Sequence, residues 1–136
     1  MNNCFILLAA GKGKRFKSKE KKQFIKYKYK PLFMHSIEKA KKSNLFKKVI
    51  LVTNKQIKIP GVIVIKGGRE RSDSSFKALK YLKNRNIKNV FIHDAARPNF
   101  SINLLKKLKK NINKNKAVVP YINTNNSTKY SYKNKV

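Results

Sequence analysis

Apolar residues in this chain fall into short unbroken runs, separated by longer stretches in which they recur every three or four positions. Phe5-Ile6-Leu7-Leu8 is the first run, bounded by Gly11, and reads as a buried strand. Further runs are Val49-Ile50-Leu51-Val52-Thr53, Val62-Ile63-Val64-Ile65 after Pro60-Gly61, Val90-Phe91-Ile92 and Ala117-Val118-Val119; their β-branched content predicts strands. Helical spacing lies between them. Pro31 suits a first turn, and Phe33, Ile37 and Ala40 then share one face. Ser72 or Asp73 can cap a second helix that turns Phe76, Leu79 and Leu82 inward. Ser101 can cap a third, with Leu105, Leu108 and Ile112 inward. Strands that alternate with helices and are apolar on both faces predict a three-layer α/β fold: a mostly parallel sheet with helices on both sides.

Residues 17–30 interrupt this pattern as a lysine-rich loop, in which Phe24, Ile25, Tyr27 and Tyr29 predict partial packing. His35, inside the first helix, reads as an ordinary packed histidine. Beyond Pro120 the chain becomes polar and turn-prone. Residues 1–120 are therefore expected to form the core, and residues 121–136 the start of a projecting strand arm whose partner strand is absent from the sequence.

Chemistry-bearing residues sit where strands end. After the first run come Ala9, Ala10, Gly11, Lys12, Gly13, Lys14 and Arg15: small residues that let the backbone lie close to a ligand, then three cations. Exposed N–H groups in such a loop form an anion-binding nest. The stretch lacks the third glycine of a dinucleotide fingerprint, since Phe16 stands there, and the Gly-Lys-Ser/Thr ending of a P-loop. Gly67-Gly68 follows the third run, and His93-Asp94 follows the fourth. In parallel sheets ligands bind beyond the carboxyl ends of the strands, so these stretches are expected to converge on one edge.

Charge changes the picture less than its size would imply. Lys and Arg number 35 against 5 Asp and Glu, a formal net charge of +30. The lysines are spread over every segment, with no aromatic platform spaced for bases, so nucleic acid is not an expected partner. No run of about 18 apolar residues is present, which leaves no candidate membrane helix. The single cysteine, Cys4, beside the first strand, reads as a small buried residue. A cytoplasmic protein is the expectation.

Three segments carry a family resemblance. Leu8-Ala9-Ala10-Gly11-Lys12-Gly13-Lys14-Arg15 followed by Lys22-Gln23, then Gly67-Gly68-Arg69-Glu70-Arg71-Ser72-Asp73-Ser74, then His93-Asp94-Ala95-Ala96-Arg97-Pro98 resemble, in order, the motifs of the 2-C-methyl-D-erythritol 4-phosphate cytidylyltransferases. The resemblance covers essentially the whole chain but only the first part of that family's length. It implies a Rossmann-like nucleotidyltransferase fold, CTP and a polyol phosphate as substrates, a divalent cation such as Mg²⁺, and a homodimer formed through the arm. The implied reaction is attack of the alcohol's phosphate on the α-phosphorus of CTP, with release of pyrophosphate. Ribitol-phosphate cytidylyltransferases resemble the chain in the same motifs, and a CTP-binding module without turnover is the other alternative.

The resemblance also assigns residues. Arg15 and Lys22 are the implied catalytic cations. Ala9, Ala10, Gly11, Lys12, Gly13, Gly67, Gly68, Ser74 and Ala95 are the implied nucleotide site. Arg97 and Thr124 are implied at the second substrate, with Thr128 an alternative register, and Asp94 at the metal. Glu70 and Arg71 are expected to shape their loop rather than touch substrate. Lys21 stands where the family usually has proline, and Arg69 where it usually has an acid.

Overall fold

The computed structural model describes residues 2–11, 20–112, 114 and 116–123. Strands β1 (Asn3–Leu8), β4 (Lys48–Val52), β5 (Ile63–Ile65) and β6 (Asn89–Asp94) form one parallel sheet in the order β5-β4-β1-β6. A short hairpin, β2 (Lys26–Tyr27) with β3 (Lys30–Pro31), lies outside it. Helices α1 (Leu32–Lys42), α2 (Arg71–Leu82) and α3 (Ile102–Ile112) cover the sheet.

β1 is central, and all six of its residues are buried, as its unbroken apolar run demands. Successive side chains point to opposite faces. Phe5 and Leu7 therefore meet Phe33, Ile37 and Ala40 of α1 and Leu105 of α3. Cys4, Ile6 and Leu8 meet Ala78 and Leu82 of α2, together with Ile50 and Val52. The three-layer α/β fold expected from the pattern is present. Cys4 is fully buried, and burial pushes its thiol pKa up to about 12, so it packs as an apolar group.

Several expectations need correction. Phe76 and Leu79 are exposed, at 65% and 40%. The inward face of α2 is instead Ser74, Ala78 and Leu82, a four-residue spacing that puts a small residue against the sheet. Neither Ser72 nor Asp73 is the cap: Glu70 occupies the N-cap, and Asp73 Oδ2 accepts its N–H at 3.0 Å. Ser101 does cap α3, accepting the Leu104 N–H at 3.0 Å. Ala117–Val119 is not a strand. The run is three residues long, Pro120 removes a donor, and no strand pairs with it among the described residues.

The lysine-rich stretch is ordered where it is described. Lys22–Phe24 forms a 3₁₀ turn, and Phe24 is buried edge-on to Phe33 with ring centroids 5.4 Å apart. Tyr27 and Tyr29 are exposed, contrary to expectation; both sit on the hairpin, where Lys28 and Tyr29 adopt positive φ of 48° and 69°. His35 Nε2 bonds the Tyr27 carbonyl at 2.7 Å. Of the arm expected over residues 121–136, residues 121–123 are irregular and exposed, and the rest lies outside the described residues.

Candidate active site

The parallel order sends the C-terminal ends of β1, β4, β5 and β6 to one edge. In the ladder Leu8 pairs with Asp94 on one side and Val52 on the other. Past its end, the Ala9 N–H donates to Val52 O at 2.7 Å and the Ala95 N–H to Leu8 O at 2.9 Å. The loops after β1 and β6 therefore leave the sheet side by side.

The loop after β5 closes on them. A side chain at Gly67 would meet the Ala10 methyl at 2.1 Å, so only hydrogen fits where these two loops touch. Gly68 is equally constrained, by the Asp73 side chain at 2.2 Å. The Gly67 N–H donates to Asn54 Oδ1 and the Gly68 N–H to Ser74 Oγ, each at 3.1 Å. Ser74 is buried and braces the glycine turn. From the first turn of α2, Arg71 reaches across to Asp94, Nε to Oδ1 at 2.9 Å. Arg97 Nε approaches the other oxygen of Asp94 at 3.8 Å. All three stretches singled out in the sequence thus meet at one edge.

The backbone donors at this edge sort into two groups. Those of Ala9, Gly67, Gly68 and Ala95 are already bonded. Nothing among the described residues accepts from Ala10 or Gly11, and a Cβ added at Gly11 would face open space. Lys22 is exposed on the 3₁₀ turn beside this loop. Lys12, Gly13, Arg15 and Thr124 lie outside the described residues.

Asp94 is the acid available to a cation here. Glu70 and Asp73 are at the start of α2, Glu38 pairs with Lys30, and Glu20 pairs with Lys55. No group of three or more His, Cys, Asp or Glu that could hold a metal exists among the described residues. A cation at Asp94 would draw its other ligands from phosphates and water, as Mg²⁺ commonly does. The half-buried carboxylate, 33% exposed, fits that use, in competition with Arg71.

Three supporting residues, Gln23, Lys39 and His93, were assigned no role from the sequence, and a fourth, Arg71, does more than was expected of it. Gln23, buried on the 3₁₀ turn, donates from Nε2 to Ala9 O at 2.9 Å and to Gly11 O at 3.1 Å. Lys39 of α1 donates to Pro98 O at 2.7 Å and Phe100 O at 3.0 Å, tying down the loop after β6. His93 Nε2 bonds Arg97 O at 2.6 Å; a carbonyl only accepts, so this nitrogen carries the proton. Burial between Phe5 and Phe100 lowers the His93 pKa and keeps the ring neutral. Arg71 was expected only to shape its own loop, yet it holds Asp94. Two signals were available for Gln23: its place in the Lys22-Gln23 pair of the resemblance, and a neutral amide inside a lysine tract. None separated Lys39 from the lysines around it.

A half-open, mostly apolar cavity of about 200 Å³ lies between β6 and α3, lined by Phe91, His93, Leu105, Leu108 and Val118 among others.

Comparison with known proteins gives one consistent result. A family model described as 2-C-methyl-D-erythritol 4-phosphate cytidylyltransferase matches residues 3–136. The chain is 48% identical to the bifunctional enzyme IspD/IspF of Pelagibacter ubique, over all of this chain and 38% of that protein. It is 35% identical to the 2-C-methyl-D-erythritol 4-phosphate cytidylyltransferase of Thermosipho melanesiensis, over 92% of this chain and 60% of that one. The fold matches that of the Francisella tularensis 2-C-methyl-D-erythritol 4-phosphate cytidylyltransferase with a TM-score of 0.69 at 28% identity, covering 85% of this chain and 54% of that one. The chain thus spans less than two thirds of the length of each of these relatives.

Proposed function

The chain belongs to the 2-C-methyl-D-erythritol 4-phosphate cytidylyltransferase family, and we propose that it serves cytidylyl transfer from CTP to 2-C-methyl-D-erythritol 4-phosphate, yielding the CDP-alcohol and pyrophosphate. The observation that carries the reading is the convergence of the loops after β1, β5 and β6 at one sheet edge. Such chemistry needs positioning and charge neutralisation more than covalent help.

In this reading the N–H groups of Ala10 and Gly11 receive the triphosphate, since no acceptor among the described residues occupies them. Arg15 and Lys22 neutralise charge developing on the phosphates, and the planar guanidinium of Arg15 suits two oxygens at once. The turn at Gly67 and Gly68, braced by Ser74, receives the base. The space a side chain would take at these two glycines is filled by Ala10 and Asp73, which fixes the shape of the turn. Ala95 contributes as packing under the nucleotide, its N–H being committed to Leu8. Arg97 and Thr124 are the residues assigned to the alcohol phosphate. Asp94 would hold a divalent cation, which when bound would neutralise phosphate charge; Arg71 pairs with the same carboxylate. A homodimer through residues 121–136 and a cytoplasmic location complete the proposal.

The test is pyrophosphate release from CTP in the presence of Mg²⁺, with and without the alcohol phosphate. Release that requires the alcohol phosphate supports the reading; release with ribitol phosphate in its place moves the substrate assignment. Arg15→Ala is expected to lower turnover by about 10²–10³-fold, the cost of removing one preorganised donor from a developing oxyanion. Near-normal release by that variant sinks the role given to Arg15.

A further inference from the structure

We propose that Gln23 is a positioning residue that sets the orientation of the nucleotide loop, an inference that rests on the reading of that loop as the CTP phosphate site. Gln23 is 6% exposed on a 3₁₀ turn, and its Nε2 lies within hydrogen-bond distance of Ala9 O and Gly11 O at once. A side-chain amide carries two N–H donors on one nitrogen, so both bonds form together. The two carbonyls belong to the Ala9–Ala10 and Gly11–Lys12 peptides, one before Ala10 and one after Gly11.

The consequence follows from peptide geometry. In a planar trans peptide the C=O and N–H point in opposite directions. Drawing Ala9 O down onto the buried amide therefore aims the Ala10 N–H away from it, toward the sheet edge. The second bond, at Gly11 O, stops the loop from pivoting about the first. Among its described residues the loop has no ladder bond beyond Ala9 and no side chain at Gly11 to wedge it. Among the described residues, Gln23 supplies the hydrogen bonds that hold these carbonyls. The adjacent Lys22 is placed by the same turn, so one short segment orients the donors and brings a cation to them.

The substitution that isolates this role is Gln23→Met, which keeps length and apolar volume while removing both donors. Gln23→Glu is the sharper variant, because a carboxylate of the same shape accepts where two carbonyls need a donor. Steady-state rates on the whole protein, with CTP and the alcohol phosphate varied in turn, give the readout. The expected result is a KM for CTP raised about tenfold or more in Gln23→Met, and further in Gln23→Glu. The KM for the alcohol phosphate stays within about twofold, and thermal unfolding shows a folded variant. Equal loss toward both substrates, or a lower unfolding temperature with an unchanged KM for CTP, overturns the role and leaves Gln23 as packing. Should Gln23→Glu fail to fold, Gln23→Met decides the question alone. A parent protein that binds no CTP by calorimetry overturns the reading of the site, and the proposal with it; a parent that binds CTP as tightly as Gln23→Met overturns the proposal alone.

Discussion

Four isoleucines stand in one row across the sheet: Ile63, Ile50, Ile6 and Ile92, each paired with the next in register. Ile6 and Ile50 are wholly buried, whereas Ile92 is 38% exposed. Face and residue type are matched, but β6 is an edge strand with β1 on one side only, so the difference comes from what lies beside Ile92 as well as above it. α2 covers the β1 and β4 side of that face through Ala78 and Leu82, and stops short of β6. On the other face of β6, Phe91 and His93 are covered by Phe46 and Phe100. β1 therefore has two covered faces and β6 has one, although the pair is fully laddered over six residues. Pairing fixes where a strand lies; helix coverage decides how much its side chains stabilise.

The sharpest way to break this comparison is to truncate matched positions. Ile6→Ala should cost about 2–5 kcal/mol, the range for deleting a buried aliphatic side chain. Ile92→Ala should cost less than half of that, and urea unfolding of the two variants would show it. Equal costs would mean that Ile92 is covered in solution.

Next in size is the contact between the loops that leave β1 and β5. Gly67→Ala forces a methyl into the Ala10 side chain and should cost about 1–3 kcal/mol by overpacking. CTP binding should weaken in parallel. A variant of unchanged stability would show that the two loops are further apart in solution.

The covered face of β6 has a pH signature. The His93 pKa is lowered from 6.5 in the folded chain, so the unfolded chain binds the extra proton first as pH falls. This contribution is complete above about pH 6.5, and is lost as pH drops through the unfolded value toward the folded one. In metal-free buffer His93→Phe should flatten that slope of stability against pH. A slope that persists in the variant would place its origin elsewhere.

The smallest effect belongs to the uncovered side. Phe76→Ser on α2 should change stability by no more than about 0.5 kcal/mol, as for surface positions generally. A larger loss in thermal unfolding would reveal a cover over Phe76, Leu79 and Val90.

Hydrophobic pattern alone made β1, β4, β5, β6 and the inward face of α1 legible, because a continuous apolar run and a 3.6 period have few other readings. It failed on α2 because Phe76 and Leu79 are larger than Ala78, and size was taken as depth. The helix lies close to the sheet through its small residues, and its large ones face outward. The site was legible as three stretches at strand ends, and its edge followed from parallel order. What holds those stretches was not. The Lys39 bonds to Pro98 and Phe100 join residues about sixty positions apart, and one lysine among 35 cations announces nothing. Arg71 meets Asp94 only because α2 begins beside the end of β6, a relation that no local pattern encodes.

The meeting of Ala10 and Gly67 has a consequence for how this sequence can change. The gap between the two loops holds one methyl group, and the chain places it on residue 10. The two positions are therefore not independent characters. Ala10→Gly paired with Gly67→Ala would move the methyl across the gap, so the double variant should fold better than Gly67→Ala alone. Lysine stands in most segments of this chain, but here a mutation at either site depends on the residue at the other.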